Sequence, residues 1–253
     1  MLVALASLAG RKWGSKISGW LSAFPIVAGP ALLLFALERG NAFASRAAGR
    51  TLLAITAFAA FVFVYHIASK RLDLIGCLAL GWAAFLATAA GIRGVEIPLL
   101  GAWLISGLVL GLVWKTLPRS AAMRTKSKAH RWLDYDLMLR MGAAAVLVLT
   151  LTGLAGRLGP DWSGVLAPFP VATSVLVAFL HHREGPEAVS TFFRGSVTGM
   201  IGFSVFCVSL SAALTVWGVG ASFAVALLSL AGVQGVLYQG WIRKKEEEVE
   251  RIP

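Results

Sequence analysis

Residues 163–170 read SGVLAPFP, and residues 18–25 read SGWLSAFP. The two stretches lie 145 positions apart, and this offset continues without a gap through Gly40/Gly185, Ser45/Ser190 and Phe58/Phe203 to Phe61/Phe206. Further upstream, residues 8–11 and residues 154–157 both read LAGR once a single position is gapped. A frame that holds from residue 18 to residue 61 predicts that the chain contains an internal duplication.

The composition places the chain in a membrane. Hydrophobic residues make up 58% of it, charged residues 14%, and the mean hydropathy is +0.78. These values are unlike those of a soluble domain, and a helix needs about 20 apolar residues to cross the hydrocarbon. Residues 1–10 are apolar but lack a preceding basic segment, so no cleavable signal peptide is expected.

Apolar runs separated by charged segments predict an all-α, polytopic transmembrane bundle. We expect a first repeat at 1–92, a linking helix at 93–118, a basic loop at 119–136, a second repeat at 137–242 and a charged tail at 243–253. Each repeat has four apolar segments, and a loop with Arg39, Arg46 and Arg50 is expected before the third. The nine expected segments are Met1–Gly10, Phe24–Leu37, Thr51–Ala68, Leu72–Ala90, Ile97–Leu117, Leu137–Ala155, Leu166–His181, Phe193–Trp217 and Ala221–Trp241.

The number of segments between the copies predicts their relative orientation. An odd number of crossings separates the Phe24 run from its twin at Phe169, so the repeats should have inverted topology about an axis in the membrane plane. With residues 115–131 in the cytoplasm, 18 Lys and Arg residues lie inside and 5 outside. This bias satisfies the positive-inside rule and predicts a cytoplasmic C-terminus in a cell (inner) membrane. If one of the short apolar runs re-enters the membrane without crossing it, the count of crossings no longer predicts the orientation at that place.

The two Phe-Pro motifs, Phe24-Pro25 and Phe169-Pro170, are the main substrate-binding candidates. Each opens a short, interrupted helix at the same place in its repeat, and transporters place such broken helices at the membrane midplane. Thr173 and Ser174 follow the second motif and could face a polar cavity, whereas Ala28 and Gly29 follow the first. The alternative is that the prolines only shape a kink and the small residues only pack helices.

Ionisable residues near the ends of apolar runs are the other site candidates. His181 and His182 suit proton coupling because histidine titrates near neutral pH, and Glu38 ends the first short helix. Arg50 and Arg194 each begin the third helix of a repeat and would favour an anionic substrate. All of these residues could instead be interfacial anchors that extend toward headgroups, and His66 is expected to be structural.

Other classes of site are not indicated. Cys77 and Cys207 lie inside apolar runs and read as buried hydrophobic residues, and the histidine spacing matches no metal motif. No cofactor or metal is expected. The net charge of +11 is spread over short segments between apolar runs, which argues against nucleic acid as a partner.

Residues 169–182, FPVATSVLVAFLHH, resemble the GlpM-type family of small bacterial inner-membrane proteins. Members of that family carry a Gly-Leu-x-x-Phe-Pro opening and a short apolar helix that ends near a histidine. The resemblance implies that this chain is two such four-span units fused through one extra helix. The first copy departs from the pattern, because Leu37-Glu38 stand where the second copy has His182-Arg183.

Taken together, these features predict a small secondary-active transporter that works by alternating access and is not an enzyme. No nucleotide-binding loop is present, so an ion gradient should drive it, with a slight preference for proton coupling and a small organic anion. Membrane lipids and a small-molecule substrate are the expected partners, and a homodimer is left open. A lipid scramblase or flippase and a non-catalytic accessory membrane subunit remain alternatives. A membrane-embedded enzyme is disfavoured because the apolar runs lack clustered acidic residues or histidines.

Overall fold

The computed structural model describes residues 14–25, 28–118 and 169–250, together with five isolated positions, and the side chains of 241–250 are not described. The expected segments at 1–10 and 137–155, apart from the isolated positions, and the whole basic loop at 119–136 lie outside these residues. All regular structure in the described parts is helical. The helices are α1 (Ser15–Ser22), α2 (Ala28–Arg39), α3 (Asn41–Ala68), α4 (Leu74–Ile92), α5 (Leu99–Thr116), α6 (Val171–Ala213) and α7 (Val219–Glu250).

Five of these helices, α3 to α7, are long and apolar enough to cross a membrane. The most apolar part of α3 and of α6 is 67% buried inside the protein, whereas that of α4, α5 and α7 is only 22% buried. Two helices therefore form the centre of the bundle, and three expose most of their apolar surface, as helices facing lipid do. A multi-helix membrane bundle is the fold class that this architecture supports.

Two glycines at equivalent positions reverse the chain. Gly40 has φ 83° and ψ 166° between α2 and α3, and Gly185 has φ 79° and ψ −172° inside α6. Only glycine adopts these dihedrals without strain, because a Cβ atom would clash with the backbone. Gly185 divides α6 into a first arm, residues 171–184, and a second arm, residues 186–213.

The helix boundaries differ from the sequence expectation around both glycines. The expected loop before Thr51 is helical, since α3 begins at Asn41 and includes Arg46 and Arg50. The expected loop between His181 and Phe193 is also helical, apart from the reversal at Gly185. In both places a single glycine turns the chain, so charged residues that resemble a loop in the sequence continue the next helix.

Helix ends and turns repeat with the same 145-residue offset. Helix α3 ends at Ala68 and α6 at Ala213, and the following helices begin at Leu74 and Val219. Five backbone hydrogen bonds across the first turn, such as Leu72 N–H to the Ala68 carbonyl, recur in the second, where Trp217 N–H donates to Ala213. The two turns therefore share the same local structure well past Phe61, where the sequence match fades.

The two central helices pack antiparallel. Ser45, near the start of α3, contacts Ser211, near the end of α6, while His66, near the end of α3, contacts Ser190 at the start of the second arm. The end of the bundle with Ser45 and Ser211 is called the serine end, and the end with His66 and Ser190 the histidine end. Phenylalanine side chains, among them Phe61, Phe192, Phe193 and Phe206, fill the core between the ends.

Candidate functional site: two helix breaks between polar ends

The first Phe-Pro motif interrupts a helix about halfway through the bundle. Helix α1 packs along the second arm of α6, with Ala23 against Gly199, which lies in the middle of that arm. Phe24-Pro25 follow at once, and the Gly29 N–H donates to the Pro25 carbonyl as α2 begins. The ring of Phe24 lies edge-on to Trp20, with centroids 5.0 Å apart.

The second motif also lies at mid-depth. The Phe169 ring centroid is 5.7 Å from that of Trp82 and 5.2 Å from that of Phe85, and both partners lie near the middle of α4. Pro170 is the N-cap residue of α6, and the first arm runs from there to the histidine end. At 1.5 Å per residue the first arm is about 21 Å long, so it crosses only part of a bilayer.

Thr173 and Ser174 are buried in the first turn of this arm. Thr173 is 3% and Ser174 2% exposed. The Trp82 indole N–H donates to Ser174 Oγ at 3.0 Å, whereas no group in the described parts of the chain pairs with the Thr173 hydroxyl. Of the eight residues predicted for substrate binding, Phe169, Pro170, Thr173 and Ser174 therefore come together, and Trp82 joins them.

The histidine end combines aromatic, imidazole and hydroxyl groups from α3 and from both arms of α6. The hydroxyl of Tyr65, which is fully buried, lies 3.2 Å from His181 Nδ1. The next residue, His66, has its Nδ1 3.0 Å from the Ser190 hydroxyl, which also donates to the Pro186 carbonyl at 2.9 Å. If Ser190 donates to Pro186, His66 is the donor of its pair, which assigns the proton to Nδ1.

Two charged residues of the turn between α3 and α4 act on this end. Asp73 interacts electrostatically with His181, and its carboxylate also accepts a hydrogen bond from Gly76 N–H at the start of α4. Lys70 interacts electrostatically with His66. The histidine end therefore places side chains that can exchange protons next to one acidic and one basic residue.

The serine end holds two hydroxyl groups at the places equivalent to His66 and Ser190. Ser45 Oγ donates to the Ser211 carbonyl at 2.8 Å, and Ser211 Oγ donates to the Ser45 carbonyl at 2.9 Å. The 145-residue offset relates Ser45 to Ser190 and His66 to Ser211. Under this offset, the contact at one end corresponds to the contact at the other end with the two helices exchanged.

The two predicted substrate arginines bind helix ends. Arg50 donates to the Arg93 carbonyl at 3.1 Å, at the end of α4. Arg194 donates to the Leu117 carbonyl at 2.6 Å, at the end of α5, and its guanidinium carbon lies 4.0 Å from the centroid of the Trp114 ring. Cations at helix C-termini are favourable for the helix dipole, so both arginines have structural partners.

The remaining candidates lie at the surface, away from these contacts. Glu38 is exposed near the end of α2, and His182 is exposed beside the half-buried His181.

Cys77 and Cys207 are both free and fully buried, as the sequence predicts. In the part of the chain that the structure describes, no three His, Cys, Asp or Glu residues are grouped so that they could hold a metal ion.

Comparison of the chain with family models, with curated proteins and with solved structures finds no match. The resemblance to the GlpM-type family therefore stays a prediction from residues 169–182.

Sequence reasoning missed Tyr65, Trp82 and Ser211. One signal was present for Ser211, because the offset maps the polar His66 onto it inside an otherwise apolar helix. Tyr65 and Trp82 have no polar twin, since Leu210 and Leu227 occupy the equivalent positions. Only the packed structure brings them to the first arm of α6.

Proposed function

We propose that this protein is a small secondary-active transporter in which two inverted repeats rock against each other by alternating access. The proposed bundle has nine apolar segments, four in each repeat plus α5. It lies in a cell (inner) membrane, with residues 115–131 and the C-terminus on the cytoplasmic side. The observation that carries the proposal is a pair of contacts between α3 and the second arm of α6, Ser45 with Ser211 and His66 with Ser190. Under the 145-residue offset, each contact corresponds to the other with the two helices exchanged.

That pair of contacts supports an inverted repeat. Equivalent helices that pack antiparallel, with Ser45 on Ser211 and His66 on Ser190, are related by a two-fold axis perpendicular to both. If both helices cross the membrane, this axis lies in the membrane plane, as in many transporters built from inverted repeats. A direct tandem repeat would instead place equivalent helices parallel.

The two Phe-Pro breaks support a site halfway between the ends. Irregular backbone at membrane depth is tolerated only where protein or a water-filled cavity satisfies its polar groups. Pro25, between α1 and α2, and Pro170, where α6 begins, fall in the two proposed repeats, and both lie at mid-depth. A substrate bound there would be reached from one membrane face when the serine end opens and from the other when the histidine end opens.

The two ends carry different chemistry, which supports the proton as the coupling ion. His181, His66 and Tyr65 meet at one end, with Asp73 and Lys70 in the adjacent turn, whereas the serine end has no titratable group in its contact. A proton bound at the histidine end would change the hydrogen bonds that close that end and leave the other end unchanged.

We propose a small organic anion as the substrate.

Alternating access can be tested without knowing the substrate. The test uses a protein that lacks Cys77 and Cys207. Ser45→Cys and Ser211→Cys introduce two thiols, and their oxidation to a disulfide closes the serine end. His66→Cys with Ser190→Cys is joined by a short bifunctional thiol reagent to close the histidine end. A reporter, Thr173→Cys, is then labelled with a membrane-impermeant maleimide from each face of sealed vesicles, and the unlinked proteins serve as controls.

We expect labelling of the reporter only from the face of the histidine end when the serine end is linked, and the reverse when the histidine end is linked. Labelling from the same face in both linked forms, or from neither face in either form, would contradict a transporter. A lipid scramblase would leave the reporter open to both faces in both linked forms, which would also overturn the proposal.

A further inference from the structure

The start of α6 lacks the capping groups that a helix usually has. Pro170, the N-cap residue, makes no side-chain hydrogen bond to the helix. Val171 N–H is bonded to the Phe169 carbonyl and Ser174 N–H to the Pro170 carbonyl. The N–H groups of Ala172 and Thr173 have no acceptor within the helix, as in the first turn of any helix. A helix start at mid-depth in a membrane cannot rely on lipid to satisfy them.

A second, independent feature is the Thr173 hydroxyl. Thr173 is 3% exposed, and its hydroxyl has no hydrogen-bond partner among the described residues. Helical side chains lean toward the N-terminus of their helix, so this hydroxyl extends toward the same end as the free N–H groups. An unpaired buried hydroxyl destabilises the fold, so a ligand is expected to satisfy it.

Ser174 adds another donor. Its oxygen accepts a hydrogen bond from the Trp82 indole N–H at 3.0 Å, which leaves the hydroxyl hydrogen available to an acceptor. The N–H groups of Ala172 and Thr173 and the hydroxyls of Thr173 and Ser174 together form a group of donors at the positive end of a helix dipole. Such a group selects a ligand that offers only acceptors.

The walls beside these donors are aromatic. Phe169 lies against Trp82 and Phe85, with ring centroids 5.7 and 5.2 Å from its own. Donors at a helix start next to an aromatic surface fit a ligand with a charged acceptor group and an apolar body. The first repeat lacks the same chemistry, because Ala28 and Gly29 replace the two hydroxyl residues.

We propose that the start of α6 binds the carboxylate of a small aromatic or apolar carboxylic acid, held by Thr173, Ser174 and the N–H groups of the first turn. That this ligand is a transported substrate rests on the proposed function, whereas the site itself does not. In this arrangement Arg50 and Arg194 do not contact the anion. The donors come from the start of α6, and Trp82 and Phe85 of α4 contribute to the aromatic wall.

Equilibrium binding of radiolabelled sodium benzoate to the purified full chain in detergent tests the site. We expect saturable binding that unlabelled benzoate displaces and benzyl alcohol, its neutral analogue, does not. Thr173→Val should weaken binding by about tenfold to a hundredfold, the usual effect of losing a hydrogen bond to a charged group. Thr173→Ser should restore it. Thr198→Val is the matched control, because the Thr198 hydroxyl donates to the Arg194 carbonyl in the same helix.

Absence of saturable binding, equal displacement by benzyl alcohol, or unchanged affinity in Thr173→Val would overturn the site. Failure of the transport proposal would appear separately in the labelling of linked vesicles. Benzoate binding that depends on Thr173, in a protein whose two ends do not alternate, would support the carboxylate site and reject transport.

Discussion

Ser45 and Ser211 each donate a hydrogen bond to the other's backbone carbonyl oxygen, with their two Oγ atoms 3.2 Å apart. This reciprocal pair joins the start of α3 to the end of the second arm of α6. Under the 145-residue offset it corresponds to the pair of His66 and Ser190 at the opposite end of the bundle. The positions related by the offset thus form a hydroxyl pair at one end and an imidazole–hydroxyl pair at the other.

The serine pair should contribute measurable stability. Ser45→Ala or Ser211→Ala removes one interhelical hydrogen bond, and each should lower the free energy of unfolding by about 0.5–1.5 kcal/mol. Ser204→Ala is the control, because the buried Ser204 hydroxyl donates only within its own helix, to Ile201. Unfolding in mixed micelles measures all three, and equal effects in the control would show that the pair adds nothing specific.

The reversing glycines should not tolerate a side chain. Gly40→Ala and Gly185→Ala place a Cβ on residues with φ of 83° and 79°, and each should cost about 1–3 kcal/mol of unfolding free energy. Gly107→Ala on α5 is the control, since nothing lies within 4 Å of a Cβ at that helical position. The control should be neutral or more stable than the parent, because alanine favours a helix by about 1 kcal/mol over glycine.

Tyr65 and His181 should be energetically coupled. His181→Ala leaves the buried Tyr65 hydroxyl without its partner and should cost about 1–3 kcal/mol. The same change in a Tyr65→Phe background should cost less, because no hydroxyl remains to be satisfied. A double-mutant cycle on unfolding free energies gives the coupling, and strictly additive effects would argue that the contact does not form.

The close packing of α1 on α6 should depend on two glycines. A Cβ built on Gly195 would lie 1.9 Å from the Lys16 carbonyl oxygen, and one on Gly19 would lie 1.9 Å from that of Phe192. Gly195→Ala should therefore force α1 away, at a cost of about 1–3 kcal/mol. Hydrogen exchange should rise in residues 15–22 and stay unchanged in Gly235→Ala on α7, where a Cβ meets nothing within 4 Å.

Much of the architecture was predictable, because it depends on the positions of the apolar runs and on the 145-residue offset between similar stretches. The all-helical membrane class followed from hydropathy, and the repeated frame indicated the helix starts after Phe24-Pro25 and Phe169-Pro170. The reversals at Gly40 and Gly185 were not foreseen, because the charged residues around them resemble loops. Whether a glycine takes a positive φ depends on the packing of the helices it joins, which no local pattern contains.

The candidate site was predictable only in part. Thr173 and Ser174 could be proposed because hydroxyls after a break in an apolar helix are unusual. The roles of Tyr65 and Trp82 depend on contacts with the first arm of α6, across more than 90 residues of chain. Arg50 and Arg194 seemed suited to an anion by charge alone, yet the carbonyls at the ends of α4 and α5 receive their hydrogen bonds.

Thiol labelling of two twin positions in intact cells tests the central claim, the inverted repeat, most directly. Ala42 and Glu187 are equivalent under the offset, both are exposed, and each lies just after a reversing glycine. In a background lacking Cys77 and Cys207, Ala42→Cys should react with an impermeant reagent from outside the cell. Glu187→Cys should react only after the cytoplasmic face is opened. Labelling of both positions from the same face would contradict the inverted arrangement and with it the proposed transport mechanism.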